Sequence, residues 1–155
     1  MLDIRRKIMV AVDGSAVSDK AVAEAVWLAG CQSGKFKNKL FALFVKTDRV
    51  RDYDELMSTG LGGRSESEEQ GRWQQVYDEV FLVVRKLAAE KGVDLETLVR
   101  EGEPAETIVH EAQELDVDFV VIGSTGKGAV KRAFLGSVSA EVVEQAPCGV
   151  YVVRA

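Results

Sequence analysis

Five short apolar runs, separated by helical patterns, constrain this chain more than any other feature of its sequence. Ile8–Val12, Leu40–Val45 and Phe119–Ile122 are continuous apolar runs, the profile of strands buried on both faces. Leu95–Glu101 reads as a half-exposed strand and Val150–Val153 as a fifth. Between the first two runs, Val17, Ala21, Val22, Ala25, Leu28 and Ala29 recur at helical spacing. Trp73, Val76, Tyr77, Val80, Phe81, Val84, Leu87 and Ala88 do the same for about four turns before Gly92. Pro104 stands where a first helical turn tolerates a missing N–H, ahead of Ile108, Val109, Ala112 and Leu115. Val138, Val142, Val143 and Ala146 form the last pattern, which Pro147 ends. The order β-α-β-α-β-α-β-α-β predicts an α/β fold with a parallel, doubly wound sheet, right-handed crossovers and helices on both faces. A length of 155 residues suits a single domain.

One segment resists this pattern. Residues 46–72 are polar, with Gly60, Gly62, Gly63 and the run Ser65-Glu66-Ser67-Glu68-Glu69. A stretch this long and this poor in apolar surface is expected to be a mobile loop that folds over a ligand.

Charge and composition exclude several classes. With 20 basic and 25 acidic residues the net charge is −5, which argues against a nucleic-acid module with its basic face. No apolar run approaches the ~20 residues that span a bilayer. The apolar stretch after Arg5, Arg6 and Lys7 stops at Asp13, too soon for a secretory signal, so a cytoplasmic location is expected. Cys31 and Cys148 lack the spacing of a disulfide framework or a zinc site.

In a sheet of this kind, ligands bind beyond the carboxyl ends of the strands where the strand order reverses. Two clusters of small and polar residues lie at such ends. Val12-Asp13-Gly14-Ser15 follows the first strand. Gly123-Ser124-Thr125-Gly126 follows the fourth, and nine residues later Gly136-Ser137-Val138-Ser139 opens a helix, with Ser137 a natural N-cap. Glycines let backbone N–H groups approach a ligand, and a helix N-terminus adds unpaired donors and a positive dipole end. Together they suit phosphate. On spacing alone, a glycine turn and a capped helix explain the cluster equally well. There is no GxxxxGK[ST] loop, and Gly126-Lys127-Gly128-Ala129-Val130-Lys131 has lysine where a dinucleotide fingerprint needs its third glycine.

With these residues in place, the chain resembles the universal stress protein family, within the adenine-nucleotide alpha-hydrolase-like superfamily. The family signature G-x2-G-x9-G-[ST] is matched by Gly123, Gly126, Gly136 and Ser137. Val12-Asp13-Gly14-Ser15, Leu135–Ser139 and Ala146-Pro147-Cys148 are also family-like, and the similarity is weakest over 46–72. The resemblance implies strand order 3-2-1-4-5 and membership of the ATP-binding branch. By the same match, Ala11, Val12 and Asp13 should lie along the nucleotide. Asp13 should sit near the ribose, the phosphates and their Mg or Mn ion, holding the metal indirectly. The Val45 backbone should meet the adenine edge and Gly123 the ribose, while Gly126, Gly136, Ser137, Val138 and Ser139 should hold the phosphates. Gly149 and Thr125 depart from the family pattern.

The function this implies is an ATP-binding (or AMP- or ADP-binding) regulatory protein of the stress response, without dedicated fast chemistry. The competing reading is a slow ATP-hydrolysing or ATP-pyrophosphatase-type enzyme of the same superfamily. Asp13-Gly14-Ser15-Ala16-Val17-Ser18 only faintly resembles the SGGxDS loop of such enzymes. The resemblance also implies a homodimer paired through Val150, Tyr151, Val152 and Val153, an apolar strand at a sheet edge. An unidentified protein partner would read the bound state. His110 is read as an exposed helix residue, Cys31 and Cys148 as small packing residues, and Trp27 and Trp73 as core or interface. Lys127, Lys131 and Arg132 lie inside the signature loop.

Overall fold

A computed structural model describes residues 5–31, 37–47, 65–125 and 135–155. Strands β1 (Lys7–Ala11), β2 (Lys39–Lys46), β3 (Asp94–Glu101), β4 (Phe119–Gly123) and β5 (Gly149–Val153) alternate with four helices. These are α1 (Ala16–Gly30), α2 (Glu66–Lys91), α3 (Pro104–Glu114) and α4 (Ser137–Gln145). The sheet runs β3-β2-β1-β4-β5 and every pairing is parallel, the architecture expected from the alternation.

Side-chain alternation sorts the apolar runs into two cores. Ile8, Val10, Val12, Leu40, Ala42 and Val121 pack under α1 and α2 with Ala21, Val22, Phe81 and Val84. Met9, Phe41, Leu43, Val120 and Ile122 pack under α3 and α4 with Ala105, Ile108, Ala112 and Val142. A strand with helices on both sides must be apolar at every position, which is why these runs are continuous.

The helix ends follow local rules. Ser15 caps α1, its hydroxyl accepting from the Ser18 N–H at 3.2 Å. α2 begins at Glu66, inside the stretch read above as loop. Ser65 and Glu68 form a reciprocal capping box, with the Ser65 N–H donating to Glu68 Oε2 at 3.1 Å. The first turns of α2 are exposed, so they carry no apolar periodicity to mark them as helical. Gly92 closes α2 at φ 64°, in the left-handed region. Residues 48–64 of the expected mobile loop lie outside the described residues.

One side chain differs from its sequence reading. Cys31 is exposed and packs into no core, whereas Cys148 is half-buried. Burial pushes the Cys148 thiol above its ordinary pKa, and the nearby Asp118 charge adds to the rise. Trp27 is 63% exposed and so is not a core residue. His110 is exposed on α3, as expected, but its neighbour Glu111 is buried. Arg100 Nε donates to Glu111 Oε1 at 2.8 Å, supplying the partner that a buried carboxylate requires.

Candidate functional site

The strand order reverses between β1 and β4, whose carboxyl ends lie side by side. Beyond β1 the chain turns through Gly14 at φ 76°, a conformation glycine adopts without strain. The turn is built from three serine and aspartate contacts. The Ser15 N–H donates to Asp13 Oδ1 at 2.9 Å, the Asp13 N–H donates to the Ser18 hydroxyl at 3.1 Å, and Ser15 caps α1. A backbone amide therefore fixes the Asp13 carboxylate at the mouth of the sheet. Val12 is held by its N–H to the Leu43 carbonyl at 2.9 Å, and its side chain faces the α1–α2 core. Ala11 and Val45 face the α3–α4 core.

Beyond β4, the Ser124 N–H donates to the Val153 carbonyl at 2.7 Å. The Ser124 carbonyl accepts from the Gly136 N–H at 2.7 Å and from the Ser139 hydroxyl at 2.9 Å. These bonds bring the two ends of the signature together around one peptide. Gly126, Lys127, Lys131 and Arg132 lie outside the described residues.

Two glycines owe their place to close approach. A Cβ on Gly123 would stand 2.8 Å from Val17 Cγ1 of α1, and one on Gly136 would stand 3.2 Å from the Ser124 carbonyl oxygen. Gly136 is itself the N-cap of α4, at φ −64°. Ser137 is the first helical residue, so the sequence reading of Ser137 as the cap is corrected. With Gly136 in that role, no side chain caps α4.

A cavity of about 430 Å³ opens between the N-termini of α3 and α4, lined by Thr47, Glu103, Pro104, Ala105, Glu106, Ser137, Val138 and Glu141. α3 also lacks a side-chain cap; its N-cap residue is Glu103 and Pro104 fills the first turn. Two helix N-termini without side-chain caps thus meet at one cavity, beside Thr47 at the end of β2. Of the residues expected at the ligand, Ser137 and Val138 line this cavity. Ala11, Val12, Asp13, Val45, Gly123, Gly136 and Ser139 do not. Ser139 is 2% exposed and turned inward to Ser124.

The α3 side of the cavity was not anticipated. Glu103, Glu106 and Thr47 belong to no motif, and only the packing of α3 beside α4 brings them to the signature. Pro104 was legible as a helix start but not as a cavity wall. Among the described residues no group of three or more His, Cys, Asp or Glu side chains is placed to hold a metal ion. Among them also, no helix is long and apolar enough to cross a membrane.

A family model described as the universal stress protein family matches residues 5–154. The chain is 36% identical over 151 residues to a universal stress protein of Bacillus subtilis (strain 168), covering 96% of this chain and 98% of that one. It is 31% identical over 159 residues to one of Methanocaldococcus jannaschii, covering 98% of this chain and 84% of that one. Among solved structures it is similar to an Arabidopsis thaliana universal stress protein family protein with AMP bound, at TM-score 0.63 and 21% identity over 96% of this chain and 90% of that one. It is also similar to the universal stress protein of Archaeoglobus fulgidus in complex with dAMP, at TM-score 0.62 and 21% identity over 99% of this chain and 100% of that one. The structures at these identities establish likeness of fold, and the sequence matches establish descent. The chain belongs to the universal stress protein family.

Proposed function

We propose that this protein is an adenine-nucleotide-binding regulator of the stress response, taking ATP, ADP or AMP at the carboxyl ends of β1, β2 and β4. The observation that carries this reading is the convergence of the α3 and α4 N-termini, neither capped by a side chain, on one cavity beside the end of β2. Each such terminus offers unpaired N–H groups and a positive dipole end to an anion. The AMP and dAMP complexes of proteins with this fold support an adenine nucleotide as the ligand.

The carboxylates of Glu103, Glu106 and Glu141 on the same wall disfavour a bare polyanion. They suit a ligand whose neutral base and sugar fill part of the space, because hydroxyl and amino groups donate to carboxylates. In this arrangement the phosphates lie toward Ser137 and Val138, and the base lies toward Thr47 and the Val45 backbone. Among the described residues, Asp13 and the other acidic groups do not by themselves make a metal centre. A Mg or Mn ion would therefore arrive with the nucleotide, its charge offsetting the phosphates and Asp13 acting on it indirectly.

The site is read as binding rather than catalytic. Asp13 is the only carboxylate in the segments 12–15 and 123–139, and neither segment contains a histidine, whereas phosphoryl transfer needs a positioned nucleophile and charge neutralisation. The β5 edge is the proposed seam of a homodimer, since it ends the sheet and presents Tyr151 at 41% exposure. The decisive experiment is calorimetric titration of the purified protein with ATP and AMP, with and without magnesium, followed by incubation with labelled ATP. Saturable binding of either nucleotide is expected. No binding of either sinks the proposal, and rapid formation of AMP plus pyrophosphate sinks its non-enzymatic part.

A further inference from the structure

Ser139 lies at the third helical position of α4, close to the signature in sequence but turned away from the cavity in space. Its hydroxyl, in a residue only 2% exposed, is 2.9 Å from the Ser124 carbonyl oxygen and 3.0 Å from that of Gly136. One hydroxyl proton serves both acceptors. The Ser124 carbonyl also receives the Gly136 N–H at 2.7 Å, and on its other side the same residue's N–H is held by Val153 of β5 at 2.7 Å. Ser124 is itself buried at 6%. Ser124 at the end of β4 is therefore anchored to β5 through its N–H and clamps the start of α4 through its carbonyl. A cap at Gly136 offers no side chain to hold that turn, so the Ser139 hydroxyl supplies the side-chain bond from inside the helix.

We infer that Ser139 is a positioning residue for the nucleotide: its hydroxyl locks the first turn of α4 onto the end of β4, keeping Ser137 and Val138 on the cavity wall, and it does not touch the ligand. The inference rests on the nucleotide reading above. Removing the hydroxyl leaves two carbonyl oxygens, that of Ser124 buried, with one fewer donor and loosens the turn that faces the phosphates. The base end of the cavity, formed by Thr47 and α3, keeps its geometry. Ligands that carry phosphate should thus lose affinity while the nucleoside does not. A residue that merely supported the fold would lower the active fraction for all ligands alike.

The test compares the parent, Ser139→Ala and Ser139→Cys, the last keeping a weak donor of similar size. AMP and adenosine affinities are measured by calorimetry, and amide hydrogen exchange is measured on nucleotide-free protein. In Ser139→Ala, AMP affinity should fall about fivefold, the loss of one hydrogen bond's net contribution, while adenosine affinity stays within about twofold. The Gly136 amide should exchange about tenfold faster without ligand as the turn opens locally, and the amides of β1 should be unchanged. Ser139→Cys should fall between the parent and Ser139→Ala on both measures. Unchanged AMP affinity, equal losses for AMP and adenosine, or an affinity loss without faster Gly136 exchange would each overturn the inference. If the parent itself binds no AMP, the nucleotide reading fails first and this inference with it; if only the variant pattern fails, the nucleotide reading stands.

Discussion

Val17 of α1 occupies the space where Gly123 would carry a side chain: a Cβ on Gly123 would lie 2.8 Å from Val17 Cγ1 and 3.4 Å from the Val17 backbone carbon. The first glycine of the signature is thus required by the fold before any ligand is considered. It lets the first turn of α1, with Asp13 just ahead of it, lie against the end of β4. The two halves of the site are brought together by this helix–strand contact.

Gly123→Ala should therefore destabilise the protein by about 1–3 kcal/mol, the range for overpacking a filled core. Val17→Ala in the same chain should recover part of the loss, because the clash is with that side chain. Urea unfolding of both single variants and the double variant measures the coupling; strict additivity would show that the two residues do not meet.

Gly136→Val should weaken ATP and AMP binding by more than about tenfold, or ~1.4 kcal/mol. The reason is packing, not dihedral strain, since φ is −64° and the added Cβ would press on the Ser124 oxygen at 3.2 Å. Asp13→Ala should weaken ATP binding chiefly when magnesium is present. Calorimetry on folded variants decides both, and parent-like binding by Gly136→Val would remove this turn from the phosphate site.

At the end of β2, Lys46 Nζ sits 4.1 Å from the Trp73 ring centroid and 2.8 Å from Glu101 Oε1, and Trp73 stacks on Tyr77 with centroids 5.8 Å apart. The Lys46 side chain is 12% exposed, so the cation over the ring is partly desolvated. Lys46→Met should cost about 0.5–2 kcal/mol. Trp73→Leu in the Lys46→Met background should cost less than in the parent. Equal costs in a denaturant double-mutant cycle would mean the pair contributes nothing.

The Tyr151 hydroxyl donates to Glu24 Oε2 at 3.1 Å. That bond, with burial and the carboxylate charge acting in the same direction, raises the phenol above its ordinary pKa of 10.0. A folded-state value above the unfolded one means the contribution to stability is full below the unfolded pKa and is lost as pH rises through the folded one. Glu24→Gln should move one tyrosine to ionise at lower pH in an ultraviolet titration, and Tyr151→Phe should abolish that step. Identical titrations for the parent and Glu24→Gln would show that the bond is not made in solution.

Sedimentation at micromolar concentration should show a dimer. Val152 packs inward against the α3–α4 core, so a charge there would test the core and not the edge. Tyr151→Lys places the charge on the exposed side of β5 and should shift the protein toward monomer, while Tyr151→Phe should not. A monomeric parent removes the seam from β5.

The sequence by itself determined the layered fold, because buried parallel strands must be apolar at every residue and their helices must repeat at 3.6. It also carried the turn beyond β1, since Asp13, Gly14 and Ser15 act there through local backbone geometry. Even the missed start of α2 was written in Ser65 and Glu68, but exposed turns leave no apolar trace beside such a cap. Only the tertiary structure decided what depends on distant segments meeting. The α3 wall of the cavity comes from Glu103–Glu106 lying beside Ser137 and Val138. The inward turn of Ser139 depends on a carbonyl 15 residues away, and the need for glycine at 123 on a valine in another element. Motif spacing records which residues a ligand could meet, whereas packing settles which of them line the cavity and which hold the others in place.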